Sequence, residues 1–268
     1  ARANRHFIPG YIWHLTHRCH KQEFLLKFAR DRSRWMEWLF EARKRYHLSI
    51  LNFTVTSNHV HLIVSDTGAA GAIPKTMQLI AGRTGQEYNQ RKGRKGAFWE
   101  DRYHATAIET GEHLWCCLVY VDLNMVRAGV VAHPSQWKWG GYHEIQNPKE
   151  RYRIIDHSLL RRFLFVQTGE ELAEIHRRWV DSEIEKISKR QEHFTKALAL
   201  GSEKFVRKVK ESLGVLARGR TSGKTGDAFE LRESMPPYIG SMGNSCFTCF
   251  TKLGEEIEDN RIPWEVFS

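Results

Sequence analysis

The stretch Phe53-Thr54-Val55-Thr56-Ser57-Asn58-His59-Val60-His61-Leu62-Ile63-Val64 decides how the first half of this chain folds. Two alternating runs meet at Ser57-Asn58, a pair of good turn formers, so the pattern predicts a β-hairpin. Successive side chains on a strand take opposite faces. His59, His61 and Ile63 therefore share one face, and Val60, Leu62 and Val64 the other. Two imidazoles placed this way can point at one divalent metal ion. Standing alone, a His-x-His on a strand is more often two polar residues on the wet side of a half-buried sheet. A second stretch, around Tyr120, is what gives the pair its meaning.

Working outward, Tyr11-Ile12-Trp13-His14-Leu15-Thr16-His17 alternates and reads as a first strand, with Ile12, His14 and Thr16 on one face. From about Ser33 to Tyr46, Trp35, Trp38, Leu39 and Ala42 keep helical spacing among charges. Leu48 to Val55 and His59 to Val64 form the two strands of the hairpin. Gly68-Ala69-Ala70-Gly71 breaks the pattern, and a helix runs from about Pro74 toward Tyr88. The basic segment Arg91-Lys92-Gly93-Arg94-Lys95-Gly96 follows and is expected to be a loop. Arg102 to Ile108 alternates again. The order strand, helix, strand, strand, helix, strand, helix predicts an α+β domain: a ferredoxin-like split βαβ antiparallel sheet with helices on one face.

Thr110-Gly111-Glu112 opens the last helix of this set, with Thr110 as its expected cap and Gly129 as its stop. Leu114, Cys117, Leu118, Val121 and Met125 make its buried stripe. His113, Cys116, Tyr120, Asn124 and Arg127 make a second, polar stripe in three- and four-residue steps. Val131 to Asp156, with Trp137, Trp139 and Tyr142, is expected to wrap the domain's edge. The boundaries expected are 1–157 for this domain and 158–268 for a mainly helical C-terminal extension. That extension carries helices at Leu159–Phe165, Gly169–Lys189 and Glu203–Leu213, and a linker near 218–227.

The chain has 268 residues, enough for a real core, and 41 Lys and Arg against 31 Asp and Glu give a net charge of +10. That excess favours a polyanionic partner, nucleic acid first and an anionic membrane second. No apolar run approaches the roughly 18 residues of a membrane helix, and the polar start is unlike a signal peptide, so a cytoplasmic protein is expected. Five scattered cysteines make no disulfide framework, and Cys246-x-x-Cys249 has no second pair to complete a zinc site. Gly223-Lys224-Thr225 lacks the upstream glycine of a phosphate loop, because position 218 is Arg, so no nucleotide site is expected.

His59-Val60-His61 on a strand, followed by a helix carrying Tyr120-Val121-Asp122-Leu123-Asn124-Met125-Val126-Arg127-Ala128-Gly129, resembles the single-tyrosine HUH transposases. Within them the chain is most similar to the REP-associated tyrosine transposases. His14-Leu15-Thr16-His17-Arg18, Ser57-Asn58-His59-Val60-His61-Leu62-Ile63 and Phe98-Trp99-Glu100-Asp101-Arg102-Tyr103 are further matching pieces, in the family's order, over roughly residues 5 to 145. Met125 departs from the pattern, since the family usually has proline after the asparagine.

The resemblance implies metal-dependent cleavage and rejoining of single-stranded DNA beside hairpins. It gives Tyr120 as the nucleophile that forms a 5′-phosphotyrosine. His59 and His61, with Asn124 one turn beyond the tyrosine, become the ligands of a divalent ion, Mg²⁺ or Mn²⁺. Candidate DNA contacts are Arg91, Lys92, Arg94, Lys95 and Arg102 for the phosphate backbone, Arg127 on the tyrosine's face, and Trp99 as a stacking platform. A monomer or homodimer acting near the bacterial nucleoid, with no membrane partner, is expected. The alternatives are a domesticated module that holds hairpin DNA without cutting it, a replication-initiator or relaxase nuclease, and an RNA-binding ferredoxin-like domain.

Overall fold

The hairpin forms as the pattern predicts. In the computed structural model, which describes residues 8, 10–65, 71–186 and 193–233, strands β1 (Ile12–Arg18), β2 (Ser49–Val55), β3 (His59–Ser65) and β4 (His104–Ile108) build an antiparallel sheet in the order β2-β3-β1-β4. That is the order a split βαβ unit demands, because each pair of hairpin-distant strands is joined by a crossover helix. The crossovers are α1 (Ala29–Tyr46) and α2 (Ala72–Lys92). The two helices pack along one another, and α1 buries Trp35, Leu39 and Ala42, the stripe its spacing marks. Gly68 to Ala70, Cys246-x-x-Cys249 and the tail beyond residue 233 lie outside the described residues.

Helices cover both faces of the sheet, not one. Helix α3 (Glu112–Asp122) lies across the face that carries Asn52, Thr54 and His61. The Asn52 amide donates to the Leu118 carbonyl (3.4 Å), and the Thr54 hydroxyl donates to the Val121 carbonyl (3.1 Å). This face is polar yet buried. Its side chains take carbonyls near the end of α3, where a helix leaves acceptors open. The opposite face meets α2: Trp99 stacks flat on His17 (centroids 4.1 Å, planes 13° apart) and its indole N–H donates to the Ala81 carbonyl in α2.

The helix around Tyr120 also differs in detail. It is capped by Gly111 rather than Thr110. It ends at Asp122 and restarts, after Leu123, as the short α4 (Asn124–Arg127). Gly111 takes φ +73° and no side chain bonds the first turn, so a threonine cap is not formed. Arg91 and Lys92 close α2 instead of opening a loop, and Gly93 (φ +58°) stops the helix behind them.

Residues 131–156 do wrap the edge at β2. Val55 donates to the Trp139 carbonyl, Gly141 to the Phe53 carbonyl, and the Trp137 indole to the Val55 carbonyl. Those bonds use groups that an open edge strand would leave exposed. Gly141 is required there: a Cβ would stand 2.2 Å from the Asn52 side-chain oxygen. Helix α5 (Tyr142–Gln146) follows directly.

The C-terminal region carries α6 (His157–Leu164), α7 (Gly169–Glu185), α8 (His193–Lys196) and α9 (Glu203–Leu213). It also holds three strands, β5 (Ala199–Gly201), β6 (Arg220–Thr225) and β7 (Ala228–Glu233). β5 pairs in parallel with β4, and β7 and β6 follow, extending the sheet to seven strands. The segment read as a linker is therefore mostly strand β6, turned into β7 at Gly226 (φ +55°). Among the described residues, no helix is long and apolar enough to cross a membrane.

Candidate active site

His59 opens β3 and is held by the turn before it. The Thr56 hydroxyl accepts from the His59 and Asn58 backbone N–H groups (3.1 and 3.3 Å). The Asn58 amide nitrogen donates to the Gln22 carbonyl (3.2 Å), which turns the Asn58 side-chain oxygen toward His59 Nδ1 at 2.7 Å. An amide oxygen only accepts, so Nδ1 carries the proton and Nε2 keeps its lone pair. That is the form in which an imidazole binds a metal.

His61 is 1% exposed and sits between the two ends of the candidate constellation. Its Nε2 lies 2.9 Å from the Asn124 amide nitrogen, and its Nδ1 lies 2.9 Å from Nε2 of His14 on the neighbouring strand. The His59 and His61 rings are 4.9 Å apart, and the Tyr120 ring stands edge-on to His61 at 5.8 Å and to His14 at 6.0 Å. The four-residue step from Tyr120 to Asn124 survives the break at Leu123, and both side chains reach the same histidine. Two imidazoles and an amide oxygen would make a mixed nitrogen and oxygen donor set for a divalent ion. Among the described residues, no group of three or more His, Cys, Asp or Glu competes as a metal site.

Tyr120 is 4% exposed. Phe194, from α8, lies against its ring at 4.6 Å, and the Arg127 guanidinium lies 4.3 Å from the ring centre while donating to the Tyr120 carbonyl. Burial lowers His14 from 6.5 to about 3, so the ring is neutral near pH 7. A histidine held neutral in the fold but free to charge when unfolded contributes stability above pH 6.5 that is lost as the pH falls toward 3. His143 and His157, lowered chiefly by burial, act with the same sign. Between pH 6.5 and 4.5 His14 is expected to lower the unfolding free energy measured in urea by up to about 1.4 kcal/mol per pH unit, opposed by the Asp31 and Glu144 carboxyls that burial raises. The same pH slope in wild type and His14→Gln would contradict the burial of a neutral His14.

Arg91 is paired with Asp31, whose carboxyl is raised by burial against the pull of that guanidinium. Lys92 lies 5.3 Å from the Phe28 ring centre. Arg94 donates to the Ala97 carbonyl (2.9 Å) and the Asn89 side chain (3.2 Å), and Lys95 and Arg102 are exposed. Trp99 is half-buried and stacked on His17.

Three features escaped the sequence reading. His14 bonds His61 directly. Phe194, distant in sequence, covers Tyr120. Asp122, two residues beyond the tyrosine, is fully buried and accepts from the Asn52 amide (3.1 Å) and from His176 Nε2 (2.8 Å) in α7. Gln146 fixes the His176 ring, because its oxygen accepts from Arg177 and its nitrogen therefore faces His176 Nδ1 at 3.0 Å. Alternation does place His14 on one face with Thr16, the partner of His61 in the sheet, but only the strand register shows which histidine it meets.

Residues 9–122, from ahead of β1 to the end of α3, match the protein-family model described as Transposase IS200 like. That matched segment contains His14, His59, His61 and Tyr120. Among solved structures, the chain is similar to one described as a REP-associated tyrosine transposase bound to a REP hairpin, at 18% identity, covering 57% of this chain and 89% of that one with a TM-score of 0.45. It is also similar to a putative transposase from Deinococcus radiodurans, at 12% identity, covering 48% of this chain and 98% of that one with a TM-score of 0.31. No curated protein matches.

Proposed function

We propose that this chain cleaves and rejoins single-stranded DNA beside a hairpin, with Tyr120 as the nucleophile. The observation that carries the reading is the convergence of Tyr120 and Asn124, from α3 and α4, on the buried His61 of β3, with His61 and Tyr120 inside the segment that matches the IS200-like model. The Tyr120 oxygen attacks the scissile phosphorus and the bond from phosphorus to the 3′ oxygen breaks. The DNA is left with a free 3′-hydroxyl, which takes up the proton the phenol gives up, and with a 5′ end linked to the tyrosine. Reversing the step on another 3′-hydroxyl rejoins a strand without ATP, since the phosphodiester energy stays in the covalent link.

A divalent ion held by His59, His61 and Asn124 would polarise the scissile phosphate when bound. A free tyrosine has a pKa near about 10, so its oxygen needs such help to act at neutral pH. A splayed single strand is the substrate that the resemblance to the REP-associated tyrosine transposases implies. The net charge of +10 supports a backbone partner. Lys95 and Arg102, both exposed, are the first contacts to test.

The second reading, a module that holds hairpin DNA without cutting it, is favoured by the cover over Tyr120. Tyr120 is 4% exposed with Phe194 and Arg127 against its ring, so little of its side chain is open to a phosphate. Labelled single strands with hairpins from the flanking DNA separate the two readings. Under cleavage, products appear with Mn²⁺ or Mg²⁺ and vanish with EDTA. Tight hairpin binding with no product in either metal would leave the binding module.

A further inference from the structure

We infer that His14 is a positioning residue for the candidate metal site: it fixes the tautomer of His61 so that Nε2 faces Asn124 with a lone pair. The inference rests on the reading of His59, His61 and Asn124 as ion-holding residues, and it assigns the work to a residue outside that set.

The argument follows hydrogen bonds inward from a group of known polarity. His14 Nδ1 lies 2.8 Å from the Phe194 carbonyl. A carbonyl only accepts, so His14 Nδ1 must carry the hydrogen, and in the neutral ring Nε2 is then an acceptor. That acceptor is 2.9 Å from His61 Nδ1, so His61 must donate from Nδ1, which leaves its Nε2 with the lone pair. Nε2 is the atom that faces Asn124 at 2.9 Å.

Ring geometry agrees. The His14 and His61 planes are 10° apart with centroids at 5.0 Å, wider than the 4.1 Å of the flat stack of His17 on Trp99. Nearly coplanar rings that meet at two nitrogens make an in-plane bond aligned with the lone pair, not a face-to-face contact.

His14 and His61 are 0% and 1% exposed, so water does not offer a substitute partner. The two histidines of the site are thus set by different devices. His59 is fixed by its own turn, through Asn58. His61 is fixed across the sheet, since His14 pairs with Ile63 and so stands diagonal to His61 on the same face. The far end of the relay is the backbone of the C-terminal region, at Phe194.

The test uses the full chain labelled with ¹⁵N-histidine, free of metal and DNA, and long-range ¹H–¹⁵N correlation to read each ring's tautomer. Wild type is expected to show His61 protonated at Nδ1. His14→Phe, which fills the space without an acceptor, is expected to move His61 toward the Nε2-protonated form. Mn²⁺ affinity, measured by calorimetry, should then fall by roughly 10- to 100-fold, the usual cost of losing such an outer partner. His14→Gln restores an acceptor near the position of Nε2 and should recover both tautomer and affinity to within a few-fold. A purely structural role would not separate the two variants. His61 protonated at Nε2 in wild type, or equal Mn²⁺ affinity in wild type and His14→Phe, would overturn the inference while leaving the ion reading intact. Wild type that takes up no Mn²⁺ would overturn the ion reading itself, and the tautomer spectrum would show which of the two had failed. If His14→Phe does not fold, the wild-type spectrum and His14→Gln still decide.

Discussion

Tyr120→Phe is expected to abolish the covalent protein–DNA complex and to lower strand cleavage by on the order of 10³-fold or more, because it removes the proposed nucleophile. The substitution deletes one oxygen from a ring that is 4% exposed, and the contacts with Phe194 and Arg127 belong to the ring, which stays. Stability should therefore change by no more than about 1 kcal/mol, the usual worth of one hydroxyl's hydrogen bond. Hairpin binding, measured by fluorescence anisotropy, should be unchanged within a few-fold. This combination separates a chemical role from a structural one. A Tyr120→Phe protein that still forms the complex would mean that another residue attacks.

Asp122→Ala is expected to destabilise the fold by about 3–5 kcal/mol. The Asp122 and His176 side chains are fully buried, and the carboxyl group is the shared partner of the Asn52 amide in β2 and of His176 in α7. Removing it strands two donors where water does not reach, and it unties α7 from both α3 and the sheet. Asp122→Asn keeps one side-chain oxygen as acceptor and should lose markedly less. Urea denaturation of the three proteins checks both statements. A shift below about 1 kcal/mol for Asp122→Ala would show that this joint is not what holds the C-terminal helices to the domain.

Much of the first half was legible because its signals are local. Strict alternation through Phe53 to Val64 and through Ile12 to His17 marks the strands, and the helical stripes mark α1 and α3. The intervals His59 to His61 and Tyr120 to Asn124 bring side chains to one face whatever the rest of the chain does. What could not be read depends on partners far away in sequence. The histidine face appears wet from the strand alone, yet α3 covers it, and the carbonyls of Leu118 and Val121 take the polar side chains of β2. His14 meets His61 across 47 residues and Phe194 across 180, and no spacing rule reaches that far.

The hairpin of β6 and β7 shows a different failure. Arg220 to Thr225 has the Gly, Ser, Thr and Lys composition of a linker because it forms the outermost strand of the sheet, where four of its six residues are exposed and little hydrophobic signal is needed. β5 is three residues long, too short to announce itself. The split of α3 at Leu123 was equally invisible, since the stripe of Tyr120, Asn124 and Arg127 continues across it.

The most direct measurement is mass spectrometry of the wild-type protein after incubation with Mn²⁺ and a hairpin-bearing single strand, followed by nuclease trimming and proteolysis. A nucleotide linked through its 5′ phosphate to the peptide containing Tyr120, absent when EDTA is added, is the expected result. An adduct on any other residue, or hairpin DNA bound tightly and recovered uncut, would contradict a tyrosine nucleophile at position 120.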